Sequence, residues 1–141
     1  MKIEYVIIHC SATDNPSQWD FHSVKELHTA PSAKAFKWGK YDTRGRAWSD
    51  IGYHYYIERD GKIVSGRNES EMGAHCLGWN NKSLGVCLAG NSDFTVQQFT
   101  SLTSLIRLLR TKHDFELVGH NDLSRDKSCP NFNVKKVLMC V

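Results

Sequence analysis

No apolar run in this chain is long enough to cross a membrane. The apolar runs are short, Tyr5-Val6-Ile7-Ile8 meeting His9 at once, whereas a spanning helix needs about 20 apolar residues. Neither sign of charge dominates, with 18 Lys and Arg against 15 Asp and Glu. The net charge of +3 suits an anionic polymer as partner without demanding one, and is too weak to argue for nucleic acid. Nothing is repeated or low in complexity, which excludes solenoids and disordered tails. An even cysteine set is absent too. Cys10, Cys76, Cys87, Cys129 and Cys140 are irregularly spaced and do not make a disulfide framework. Most of these thiols are expected to be free and buried, with at least one able to hold a metal. The opening Met1-Lys2-Ile3-Glu4-Tyr5 lacks the apolar stretch of a secretory leader, so a reducing cytoplasm is expected. What remains is ordinary. With 40% hydrophobic residues over 141 positions, the chain can bury the core of one domain, taken as residues 1–141.

The pattern alternates strands and helices. Residues 3–9 read as a buried strand and 11–18 as a loop. A short helix is predicted over 21–28, and the clearest helix runs over 96–113. Its start is marked by the capping-box pair Thr95 and Gln98, and its apolar stripe by Phe99, Leu102, Ile106 and Leu109. Residues 52–59 and 62–65 read as strands joined at the turn Asp60-Gly61. Residues 83–89 and 116–119 read as further strands, and 134–139 as a final helix. The segment 29–48 reads as an irregular basic loop insertion carrying Lys34, Lys37, Lys40, Arg44 and Arg46 among Phe36, Trp38 and Tyr41. It is either a solvated loop or a flap that touches substrate. The fold class is therefore α/β, with a mixed central sheet flanked by helices.

Three potential metal ligands stand where strands give way to loops. His9 and His120 each close a strand, and Cys129 follows in a turn before Pro130. Two imidazoles and a thiolate suit zinc and leave a fourth position open, which distinguishes a catalytic site from a structural one. Spacing alone is a weak signal, because seven histidines and five cysteines make chance triples plentiful.

The wording of the sequence is more specific. His9-Cys10-Ser11-Ala12-Thr13, Gly52-Tyr53-His54-Tyr55 with Arg59-Asp60-Gly61, Gly73-Ala74-His75 with Gly78, Asn80, Ser83-Leu84-Gly85-Val86 and Gly90, and Gly119-His120-Asn121-Asp122-Leu123-Ser124 with Lys127-Ser128-Cys129-Pro130 occur in this order. Together these blocks resemble the type 2 N-acetylmuramoyl-L-alanine amidases, the family of small phage endolysins and of peptidoglycan-recognition proteins. The resemblance implies an amidase-like α/β fold and one Zn2+ per chain on His9, His120 and Cys129. It implies catalytic roles for Tyr53 and Lys127, and places His75, Trp79 and Asn80 near the substrate groove. It also implies hydrolysis of the amide between N-acetylmuramic acid and L-alanine, in a protein that waits in the host cytoplasm until the membrane is breached. In such a site zinc lowers the pKa of water from ~15.7 towards ~7.

The partner implied is peptidoglycan, with no nucleic acid, no membrane anchor and a monomeric state expected. Some phage relatives also bind an RNA polymerase, a role that nothing in this sequence supports. A non-catalytic peptidoglycan-binding module and a cytoplasmic muropeptide-recycling amidase are the alternatives; the retained Cys129 speaks against the first. Without the resemblance, Tyr53 reads as sheet packing and Lys127 as a surface lysine. His54, on the opposite strand face from Tyr53, reads as structural. Cys10 reads as buried and inert, Cys76 and Cys87 as core thiols, and Trp79 as either core packing or a groove contact. His22, His28 and His113 carry no assigned role. Two departures from the family pattern are the length of 29–48 and Arg125 in place of a proline.

Overall fold

A computed structural model describes residues 1–141. Its elements are β1 (Tyr5–Cys10), α1 (Phe21–Thr29), β2 (Ala35–Trp38), β3 (Tyr41–Arg44), β4 (Tyr55–Ile57), β5 (Ile63–Ser65), β6 (Ser83–Leu88), α2 (Val96–Arg110), β7 (Glu116–Gly119), α3 (His120–Leu123) and α4 (Val134–Val137). Five strands form one mixed sheet in the order β5-β4-β6-β1-β7. β1 runs parallel to β6, from Tyr5↔Ser83 to Cys10↔Leu88, and parallel to β7, from Tyr5↔Glu116 to Ile8↔Gly119. β4 also runs parallel to β6, and only the edge strand β5 is antiparallel.

The sequence explains why β1 lies inside the sheet and not at its edge. A parallel strand covered on both faces needs apolar residues at consecutive positions, and Val6, Ile7 and Ile8 are fully buried. α2 covers one face, packing Leu102, Leu105, Ile106 and Leu109 against Val6, Ile8, Leu84, Val86 and Leu88. α1 covers the other through Val24 and Leu27, which join Ile51, Tyr56 and Cys87. The start of α2 is fixed as its sequence demands. Thr95 accepts from the Gln98 N–H, and the Gln98 side chain accepts from the Thr95 N–H. The fully buried Gln98 amide also donates to the carbonyls of Ile57 and Ala89, which ties the helix to β4 and β6.

Residues 29–48 are not irregular throughout. β2 and β3 pair antiparallel, from Ala35↔Arg44 to Trp38↔Tyr41, around a tight turn in which Gly39 has φ of 57°. A left-handed residue is what such a turn requires. The signal is in the sequence: Phe36, Trp38, Tyr41 and Thr43 alternate with Lys37, Asp42 and Arg44 about that glycine, a two-residue period that the density of charge obscures. Other differences are at element ends. The strand expected over 52–59 is regular only over Tyr55–Ile57, α2 stops at Arg110, and α4 stops at Val137.

Candidate metal centre and groove

Because β1 and β7 are parallel neighbours, their C-terminal ends emerge side by side. His9 is the penultimate residue of β1, and His120 follows β7 directly. The loop after α3 then returns Cys129 to the same place. One donor atom from each of His9, His120 and Cys129 lies within 4.8 Å of the others.

Proton bookkeeping around His9 shows that the donors are prepared for a cation. The Ser83 hydroxyl donates to the Trp79 carbonyl at 2.7 Å, so its oxygen is left to accept from His75 Nε2 at 3.3 Å. His75 Nδ1 is then bare and accepts from His9 Nε2 at 2.8 Å. That fixes the His9 proton on Nε2 and leaves Nδ1 a free lone pair, the tautomer a metal ligand needs. Burial, reinforced by the neighbouring His75, His120 and His28, holds the His9 imidazole neutral by lowering its pKa well below the usual value. Burial likewise pushes His75 down to about 3, with help from His54, His120 and Arg67. His120 is lowered by burial and by the charge of Lys127.

The thiolate has its own support. The Cys10 backbone N–H points at Cys129 Sγ from 2.9 Å, a contact that favours charge on that sulfur. Without a cation, the neighbouring Cys10 and burial push the Cys129 thiol well above its usual pKa, while Cys129 lowers that of Cys10, so the two titrate as a pair. Cys10 is buried as expected, and its backbone N–H braces a candidate ligand. Asn121, next to His120, spans to the Cys129 loop. Its backbone N–H donates to the Cys129 carbonyl at 2.9 Å, and its amide donates to the carbonyls of Ser128 and Phe132, each at 3.2 Å. Asn121 Oδ1 is the only buried side-chain polar atom without a hydrogen-bond partner. The donor chemistry, the spacing and the fixed tautomer all fit a zinc ion.

Beside these residues opens a cavity of about 500 Å³ whose lining includes His28, Arg46, Trp48, Tyr53, His75 and Lys127. The Tyr53 ring lies 5.2 Å from that of His9. Burial and the nearby thiols raise the Tyr53 pKa well above the usual value, so its hydroxyl stays a donor at neutral pH. Lys127 is exposed at the cavity edge. Among the residues expected near substrate, His75 and Asn80 line the cavity but also serve other partners. Asn80 Oδ1 accepts from the N–H groups of His75 and Cys76, both at 2.9 Å. Trp79 is not in the lining. It packs edge-on against Tyr5 at 5.0 Å, under the Lys82 ammonium. His54 is fully buried, accepting from Gly85 N–H and donating to the Glu71 carbonyl, which is the structural role its strand face indicates.

Besides Cys76 and Leu77, which follow His75 directly, three cavity residues lie far from the motifs. His28 accepts from Gly52 N–H through Nδ1 at 2.9 Å, which leaves Nε2–H for the cavity it lines. Its signal was its place on the buried stripe of α1 with Val24 and Leu27. Arg46 and Trp48 belong to the basic insertion, so that segment does reach the groove. A second cavity of about 530 Å³ opens around Glu69. That carboxylate is already taken by Tyr55, Lys112 and His113, so the site offers no free chemistry.

The comparisons with known proteins agree with this geometry. The family described as N-acetylmuramoyl-L-alanine amidase matches residues 1–132. The endolysin of Enterobacteria phage T3 is 32% identical, over 94% of this chain and 83% of its own length. The solved endolysin amidase LysCS from Clostridium intestinale URNW superimposes with a TM-score of 0.78 at 30% identity, covering 99% of this chain and 85% of its own. The wild-type Drosophila peptidoglycan-recognition protein PGRP-LB superimposes with a TM-score of 0.76 at 25% identity, covering 99% of this chain and 81% of its own. With both motif blocks and fold accounted for, the chain belongs to the N-acetylmuramoyl-L-alanine amidase family.

Proposed function

We propose that this protein is a zinc-dependent endolysin that severs the amide between N-acetylmuramic acid and L-alanine in peptidoglycan and so lyses a phage's host. The observation that carries the proposal is the convergence of His9, His120 and Cys129 within 4.8 Å at the edge of a groove that also holds Tyr53 and Lys127. A zinc ion held by these three residues supplies Lewis acidity for activating water and polarising the amide carbonyl.

The remaining work falls to the chain's own side chains. Water adds to the carbonyl carbon, the C–N bond breaks, and the alanyl nitrogen leaves with a proton. Tyr53, kept protonated by burial, donates a hydrogen bond to the charge developing on the amide oxygen. Lys127 brings a positive charge to the same oxygen, a contribution of about 3 kcal/mol if water is excluded. His75 keeps His9 in its ligating tautomer through the 2.8 Å bond between the rings, and Asn80 holds the 75–76 turn that carries His75.

The test compares zinc content and clearing of purified cell walls for the native protein and Cys129→Ser. Loss of both together is expected. Equal clearing by the two proteins overturns the proposal.

A further inference from the structure

Charge in this chain is unevenly placed. Residues 29–48 hold Lys34, Lys37, Lys40, Arg44 and Arg46 against Asp42 alone, a net +4, while the whole chain carries +3. The other 121 residues are therefore slightly acidic, at −1. Two of the cations are neutralised locally, Lys34 by Glu26 at 3.0 Å and Lys37 by Asp42 at 3.5 Å. Lys40, Arg44 and Arg46 enter no ion pair, and all three are exposed.

The segment is also bolted down. At the tip of the β2–β3 hairpin, Trp38 Nε1 donates to the Ser11 carbonyl at 2.6 Å. Gly39 N–H donates to Gln18 Oε1 at 2.9 Å, and Gln18 Nε2 donates back to the Lys37 carbonyl at 2.6 Å. At its base, Arg46 and Trp48 N–H groups donate to the carbonyls of Leu27 and His28. Unpaired cations on a fixed scaffold attract an anionic partner without first having to order the scaffold. The base of this hairpin, through Arg46 and Trp48, is itself part of the groove lining, so the groove and the hairpin are contiguous.

We propose that the β2–β3 hairpin is a cationic platform that holds carboxylates of stem peptides adjacent to the one in the groove, along the same peptidoglycan strand. This rests on the amidase reading above and adds a second contact that only the polymer can make. Nucleic acid is the other polyanion such a patch could take. Continuity with the groove favours the wall polymer.

The experiment measures pelleting with purified peptidoglycan sacculi for the native protein and for the double variant Lys40→Glu/Arg44→Glu, at about 0.05 M and about 0.5 M salt. At low salt the variant is expected to bind about tenfold more weakly, and the two should converge at high salt. Hydrolysis of a soluble muramoyl-alanyl peptide, too short to reach the hairpin, should be the same for both. Sacculi whose carboxylates have been converted to amides should hold the native protein no better than the variant.

Equal binding of both proteins to untreated sacculi overturns the proposal. So does undiminished binding to the amidated sacculi. So does retention of sacculus binding by the variant together with loss of duplex DNA binding, which would make the patch a nucleic-acid site. The salt dependence of the native protein needs no variant, and its absence also overturns the proposal. Failure of the native protein to cut the soluble peptide would count against the amidase reading alone, because pelleting is read without turnover.

Discussion

Gly85→Ala adds one methyl group to a fully buried strand and should act on the metal centre through His75. A Cβ built at position 85 lies 2.6 Å from His75 Cγ and 2.8 Å from both Cδ2 and Nδ1, well inside van der Waals contact. The backbone of β6 cannot retreat, because Gly85 N–H donates to His54 Nδ1 at 3.0 Å and its carbonyl accepts from His54 N–H at 2.9 Å. The ring cannot retreat far in another direction either, since a Cβ on Gly73 would come within 2.7 Å of His75 Cδ2. The imidazole must therefore shift enough to lose its bond with His9. Overpacking of this kind costs about 2 kcal/mol, a drop in Tm of roughly 4–8 °C for a domain of this size. Disturbing the partner of a ligating histidine weakens metal binding by about 10–100-fold. Thermal melting of the metal-free protein and zinc retention against a chelator measure the two effects separately. A cycle with His75→Ala is the sharper check, because without the ring the methyl has nothing to strike and the two losses should be far from additive. Wild-type melting and zinc retention in Gly85→Ala, or a full penalty persisting in the His75→Ala background, would refute the reasoning.

Acid should destabilise the protein partly through His28, whose pKa is pushed down to about 4, mainly by burial and also by Arg46 and Arg67. Because the folded value lies below the unfolded one, the contribution is complete above about pH 6.5 and is lost as pH falls towards 4, by about 3 kcal/mol in all. Urea unfolding across this range should show a shallower acid limb for His28→Gln than for the native protein. Asn121→Asp replaces a donor with a charged acceptor facing the carbonyls of Ser128 and Phe132, and should release zinc about tenfold more readily in chelator competition. Ala47 has φ of 56°, a conformation that costs a non-glycine residue about 1 kcal/mol. Ala47→Gly should therefore raise stability by about 0.5 kcal/mol in thermal melts once the added freedom of the unfolded chain is deducted.

Much of the architecture was legible in the sequence because local signals and tertiary burial agree there. The capping box at Thr95 and Gln98 and the apolar run at Val6 to Ile8 needed no long-range knowledge. His9, His120 and Cys129 were legible as chemistry but not as geometry, since only the parallel pairing of β1 with β7 brings residues so far apart in the chain together. Trp79 shows where wording misleads: it adjoins the residues that line the groove, yet its ring turns to Tyr5. His28 was overlooked because a histidine on an apolar helix stripe reads as packing, and its free Nε2 emerges only once Gly52 N–H occupies Nδ1. The β2–β3 hairpin was hidden by its own charge. Its two-residue alternation is regular, but the lysines and arginines between those positions read as a loop.

The position of β1 between β6 and β7 has a consequence for how the protein is made. This strand is synthesised first, yet its neighbours in the sheet are residues 83–88 and 116–119. At about 5–20 residues per second, its apolar residues wait roughly 4 to 16 seconds for the first neighbour and longer for the second. Through that interval the ribosome-bound chain carries an unpaired hydrophobic strand open to aggregation, and the candidate metal cluster cannot assemble until Cys129 has been translated.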